Sequence, residues 1–112
     1  MTRSVTPRGI ALVEAEGALL GGNEVDEFRR AVDECIEERR ANLLIDLDKV
    51  TFINSTAVGV LASAIVSYSR RKWKIKLCGQ NKVVYSILKI TKLNLVIDSY
   101  ETRAAALASF PS

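Results

Sequence analysis

The sequence predicts an α/β fold: a mixed, mostly parallel sheet of four to five strands with about four helices. Two observations predict it. Short apolar runs alternate with amphipathic stretches of helical spacing about every 30 residues, the rhythm of parallel strands joined by crossover helices. The chain has 112 residues, 48% of them hydrophobic, which suffices for one core and one domain over residues 1–112. No linker, repeat or low-complexity tract interrupts it.

The elements follow in order. Ile10-Ala11-Leu12-Val13 is an apolar run, with Glu14 and Glu16 alternating beyond it and Gly17 ending it. It reads as a strand that can pair with residues 2–6. Gly21-Gly22-Asn23 is a turn, with Asn23 as N-cap and Asp26 placed at the positive helix end. Val25, Phe28, Val32, Cys35 and Ile36 then recur at helical spacing. Leu43-Leu44-Ile45-Asp46-Leu47 is almost continuously apolar, as expected of a strand in the middle of a parallel sheet.

Asn54 is the N-cap of a second helix, with Ser55 and Thr56 in its first two positions. Val58, Leu61, Ala62 and Ile65 face the sheet, and Arg70-Arg71-Lys72 meet the negative helix end. Trp73 to Cys78 alternates strictly, Trp73, Ile75 and Leu77 against Lys74 and Lys76. Asn81 caps a third helix with Val84, Ile87 and Leu88 as its buried stripe. Leu95-Val96-Ile97 reads as the last strand, and Ser99 opens a final helix through Ala104-Ala105-Ala106-Leu107.

Composition removes whole classes of chemistry. There is no histidine, which excludes His-based triads, histidine phosphotransfer and most catalytic zinc sites. Cys35 and Cys78 form no CxxC pair and read as buried reduced thiols. No apolar run approaches the roughly 20 residues of a membrane span. No apolar stretch follows the basic residues of the first eight positions, so a secretory signal is not expected. A cytoplasmic domain without metal or cofactor is the expectation. The net charge of +3 is too small to imply nucleic acid.

The constellation at residues 54–59 carries the functional signal. A strand, a short loop and a helix opening with two hydroxyl residues place Ser55 and Thr56 where the first-turn N–H groups and the helix dipole tolerate an anion. A phosphate on Ser55 would add about −1.5 to −2 charges at pH 7 without unravelling the helix. On residue chemistry alone, the same two residues are also simply good helix starters.

From Gly17 onward, and most strongly over residues 17–110, the chain resembles the STAS domain, shared by sulphate transporters and bacterial anti-sigma factor antagonists. The matching stretch is Leu44-Ile45-Asp46-Leu47 through Phe52-Ile53-Asn54-Ser55-Thr56-Ala57-Val58-Gly59. Leu77-Cys78-Gly79, the segment from Val84 to Leu95 and the closing Thr102–Leu107 helix add to it. The resemblance implies a non-enzymatic switch in signalling and transcription regulation. In free-standing antagonists, the serine of this turn is phosphorylated by a serine-protein kinase that also serves as the anti-sigma factor. The bare antagonist binds the kinase and the phosphorylated form lets go.

Ser55 matches that serine, with Thr56 the less favoured acceptor. The implied partner-binding residues are Asn54, Ser55, Thr56, Ala57, Val60 and Ala64, although Val60 and Ala64 read equally well as tucked against the neighbouring helix. Other implied properties are a phosphatase that resets the switch, no direct nucleic-acid or membrane partner, and a monomer or weak dimer. Three positions depart from the family pattern: Asn54 replaces an aspartate, Ala57 a glycine and Leu20 an early aspartate. They leave open the alternative of a scaffold or adaptor subunit in a larger signalling assembly, with no phospho-switch at Ser55. A small-ligand binder using the same helix start for an anion is the third reading.

Two other features have plainer readings. Arg70, Arg71, Lys72, Lys74 and Lys76 read as a solvated helix end and the polar face of a strand. Their functional reading is a basic rim for an acidic partner or, more weakly with Trp73 as the one interleaved aromatic, for nucleic acid. Asp46 and Asp48 lie at the strand edge where α/β sheets bind ligands, but neither a histidine nor a Gly-rich phosphate loop accompanies them as an acid–base pair.

Overall fold

The computed structural model describes residues 1–111. Five strands form one sheet in the order β1-β2-β3-β4-β5: β1 Thr2–Val5, β2 Ala11–Leu19, β3 Asn42–Ile53, β4 Lys74–Cys78 and β5 Asp98–Tyr100. β1 pairs antiparallel with β2, and every later pairing is parallel. The crossovers are α1 Asn23–Glu37, α2 Ser55–Arg70 and α3 Lys82–Ile90, and α4 Arg103–Ser109 follows β5. No helix among the described residues is long and apolar enough to cross a membrane.

The sheet divides two apolar clusters. On one face Val13, Leu43, Ile45 and Leu77 pack against the buried stripes of α1, α2 and α3. On the other, Ile10, Leu12, Leu44 and Cys78 pack against Ala106 and Phe110 of the α4 region. β3 is therefore apolar on both faces, which explains its nearly unbroken run, since fully burying each such side chain is worth about 1.5–3 kcal/mol.

Several elements differ from the sequence expectation, each for a local reason. β2 continues past Gly17 to Leu19. Gly17 has φ +78° and sits at a register shift, so it makes a bulge rather than an end. Asn23 is the first helical residue and not the cap. Gly22, at φ +64°, holds that position, and its carbonyl takes the Asp26 N–H at 3.0 Å. Leu95-Val96-Ile97 is not a strand: Leu93–Leu95 is a 3₁₀ turn, and β5 begins at Asp98. Ser99 lies within β5, and the last helix is capped by Thr102, whose hydroxyl accepts from Ala105 N–H at 3.1 Å.

The largest difference concerns Lys76. It is 7% exposed, not solvated, because α4 returns across the outer face of the sheet. Its ammonium donates to the Ser109 hydroxyl at 2.9 Å and to the Ser109 carbonyl and the Tyr100 hydroxyl at 3.2 Å. The Phe110 and Tyr100 rings lie 5.1 and 5.3 Å from it. Arg8, from the β1–β2 turn, donates to the Leu107 and Phe110 carbonyls at 3.1 Å. Two cations thus meet the negative end of α4.

Candidate functional site

The geometry of residues 54–59 begins with strand register. β2 and β3 end together, Leu19 opposite Ile53, and the Asn54 N–H donates to the Leu19 carbonyl at 3.0 Å. Asn54 is extended (φ −96°, ψ −178°), and its side-chain oxygen accepts from the Ala57 N–H at 3.0 Å. Its carbonyl accepts from Val58 at 3.0 Å, which starts α2. Asn54 is thus the cap the sequence predicts, and Ser55 and Thr56 are the first two helical residues.

Ser55 and Thr56 are both exposed. Their backbone N–H groups meet no acceptor among the described residues, as expected of a first helical turn. α2 has no acidic residue in that turn, so its positive end is uncompensated. The Ser55 hydroxyl stands in water beside a partial positive charge, where an added dianion is favoured.

The other expected contact residues divide differently. Ala57, Val60 and Ala64 are 1%, 6% and 2% exposed. They belong to the core beneath α2, so their side chains are not an outward apolar patch. The reason is that α2 is buried along two sides, against the sheet and against α1. Along the first three turns of α2 the exposed residues are instead Ser55, Thr56, Gly59 and Ser63, with Val66, Ser69 and Arg70 exposed further along. A groove of about 520 Å³ runs between α1 and α2, bordered by Thr56, Gly59, Ser63, Arg29, Asp33 and Ile36. Its floor includes Val60 and Ala64.

One neighbour was noticed in the sequence only as a departure. Leu20 directly follows the Leu19 that Asn54 pairs with, and it is 61% exposed. Gly21 follows at φ +111°, where a Cβ would lie 3.7 Å from the Asn54 side-chain nitrogen. The β2–α1 turn therefore lies against the α2 cap and puts an exposed leucine on the same edge. An aliphatic residue immediately before a Gly-Gly turn was the available signal.

Asp46 and Asp48 do not form an open carboxylate pair. Asp46 is 5% exposed; it accepts from the Asp48 N–H at 2.9 Å and from Arg103 at 2.8 Å. The same guanidinium reaches Glu14 at 2.9 Å. The carboxylate is a structural tie between β3 and α4. Both cysteines are free and buried. Burial raises the Cys35 thiol, and burial together with the Asp46 carboxylate pushes Cys78 up to about 12. Among the described residues no cluster of three or more acidic or thiol groups could hold a metal ion.

Comparison with known proteins extends this picture. No curated protein matches the sequence. An anti-sigma factor antagonist from Mycobacterium paratuberculosis superposes with a TM-score of 0.80 at 20% identity, covering 96% of this chain and 92% of that one. The Bacillus cell fate determinant SpoIIAA in its phosphorylated form gives 0.76 at 13% identity, with 96% of each chain covered. The STAS domain of a SulP transporter from Vibrio cholerae gives 0.71 at 26% identity, with 95% and 84% covered. Structural neighbours are mostly anti-sigma factor antagonists. The STAS domain family itself matches residues 2–106, nearly the whole length. With that match, and the five-stranded sheet and four helices of the same fold, the chain belongs to the STAS domain family.

Proposed function

We propose that this protein is a non-enzymatic anti-sigma factor antagonist, which binds a serine-protein kinase acting as anti-sigma factor and is switched off by phosphorylation at Ser55. The observation that carries the reading is the exposed Ser55 hydroxyl at the first position of α2, with no acid in that turn. In the switching step the kinase transfers the γ-phosphoryl group of ATP. A bond forms from the Ser55 oxygen to phosphorus, the hydroxyl proton passes to a kinase base, and ADP leaves. The resulting dianion is stabilised by the helix start and repels the kinase surface that held the bare serine. Leu20 and Thr56 complete the docking edge around Ser55, and Asn54 orients it. A phosphatase resets the switch, and the cycle runs in the cytoplasm, where ATP is supplied.

The test is incubation with ATP and the cognate kinase, followed by peptide mass spectrometry. Phosphate on the peptide bearing Ser55, lost in Ser55→Ala, supports the reading. Phosphate confined to other residues, or none with a kinase that binds the protein, overturns it.

A second reading is favoured by Asn54 itself. It retains the cap but places no carboxylate beside the acceptor hydroxyl. A STAS scaffold or adaptor without a phospho-switch would use the same edge for assembly. It predicts a stable higher oligomer in light scattering that Ser55→Asp leaves intact.

A further inference from the structure

The basic residues of this chain are segregated. Between Asp48 and Asp98 there is no acidic residue, whereas nine residues are Lys or Arg. In the strand order this segment covers α2, β4 and α3, while the acids concentrate in β2, α1 and β3. Within it, Arg70, Lys72, Lys74, Lys89 and Lys92 make no ion pair among the described residues.

Lys89 and Lys92 are close in the chain to exposed aliphatic side chains. Ile90 is 80% exposed, Leu95 75% and Val96 61%. Ile90 is the last residue of α3, and Leu95 and Val96 lie in the compact turn that follows, closed by the bonds Thr91 N–H to Ile87, Leu95 N–H to Lys92 and Val96 N–H to Leu93 at 3.0–3.2 Å. Lys92 holds the turn at φ +63°. Val96 borders the same shallow hollow as Lys74. The turn therefore adjoins the basic end of α2 at the N-terminal edge of β4, the end of the sheet opposite Ser55. Of the acids toward that end, Glu38 is engaged with Arg3, Asp98 lies 3.9 Å from Lys76, and Glu37 is exposed on the last position of α1.

We infer that this end of the domain docks on an anionic lipid surface, with Ile90, Leu95 and Val96 entering the headgroup region and Lys74, Lys89 and Lys92 meeting lipid phosphates. Aliphatic side chains exposed by 60–80% project from the surface instead of lying flat, and unpaired cations of one sign flank them, the pattern that suits an interfacial anchor. A second copy meeting this face about a two-fold axis would set Lys89 and Lys92 against their own counterparts, which charge disfavours. The inference departs from the expectation of no membrane partner. It does not depend on phosphorylation, because Ser55 remains open at the other end.

The test uses the full chain and vesicles of phosphatidylcholine with or without a third of phosphatidylglycerol, at low and high salt, with sedimentation as readout. Binding is expected to the anionic vesicles only and to fall as salt rises. Lys89→Glu with Lys92→Glu weakens it at least about tenfold, and Leu95→Ser with Val96→Ser does so with charge unchanged. All four positions are exposed, so unaltered circular dichroism is expected and separates lost docking from lost folding. No binding to anionic vesicles at low salt overturns the inference, as does equal binding to neutral vesicles or indifference to both double variants. Dimerisation that Leu95→Ser abolishes, without vesicle binding, reassigns the face to a second copy. Ser55 phosphorylation in solution is expected to be the same in every variant, so the two proposals fail separately.

Discussion

The Lys76 ammonium lies 2.9 Å from the hydroxyl of Ser109 and 3.2 Å from its carbonyl oxygen, so a lysine within a strand holds the last turn of a helix on the sheet's outer face. Truncation to Lys76→Ala strands these acceptors and removes contact with two aromatic rings. The expected cost is about 2 kcal/mol, or roughly 10 °C in Tm. Lys76→Met keeps the apolar stem and should lose less. Thermal unfolding of the two variants checks the order.

The cap of α2 makes a second prediction. Asn54→Ala removes the bond to the Ala57 N–H and should cost about 1 kcal/mol. Asn54→Asp retains that bond and adds a negative charge at the positive helix end, for a gain of about 0.3–1 kcal/mol. Urea denaturation midpoints measure both. If Asn54→Asp also speeds phosphorylation of Ser55, the lost carboxylate retunes the switch without abolishing it.

For partner binding, Ser55→Ala should hold the kinase constitutively, and Ser55→Asp should bind at least about tenfold more weakly, a difference of about 1.4 kcal/mol. Calorimetric titration of both variants measures the ratio. Equal affinities would contradict repulsion by charge.

Alkaline pH should destabilise the fold. Burial, reinforced by Asp46, raises Cys78 from 9.0 to about 12, and burial also raises Cys35 and Tyr68, whose hydroxyl donates to the Arg40 carbonyl at 2.7 Å. The folded state keeps these protons where the unfolded chain has lost them. Stability is therefore full below about pH 9 and declines as pH rises from 9 toward 12. Unfolding midpoints across that window should fall, and Cys78→Ala should flatten the slope.

Two glycines should respond with opposite sign. Gly59 is helical and faces open space, with no neighbouring atom within 4 Å of where a methyl group would stand, so Gly59→Ala should stabilise by about 1 kcal/mol. Gly79 has φ +75°, and a Cβ there would stand 2.9 Å from the Asp48 backbone, so Gly79→Ala should destabilise. Paired melts of the two variants test this.

What could be read in advance was whatever depends on neighbours in sequence. Asn54, Asn81 and the stripes Val25–Phe28–Val32 and Val84–Leu88 declare themselves through spacing and cap chemistry, and all occur as expected. Lys76 does not, and for Val60 the sequence leaves a tucked and an outward position equally open, because their burial is decided by elements distant in the chain: α4 crosses one, and α1 flanks the other. Leu95–Ile97 misled because three apolar residues in a row suit a strand equally well as a turn whose first two members face water.

The succession β2, β3, β4, β5 never doubles back across the sheet. Open α/β sheets form their ligand crevice where neighbouring crossovers diverge to opposite faces. Here all three parallel crossovers climb the same face, and no such parting exists. Ser55 stands exposed at the C-terminal rim, on the first position of the helix that follows β3. A metabolite therefore finds no switch-point crevice along this sheet.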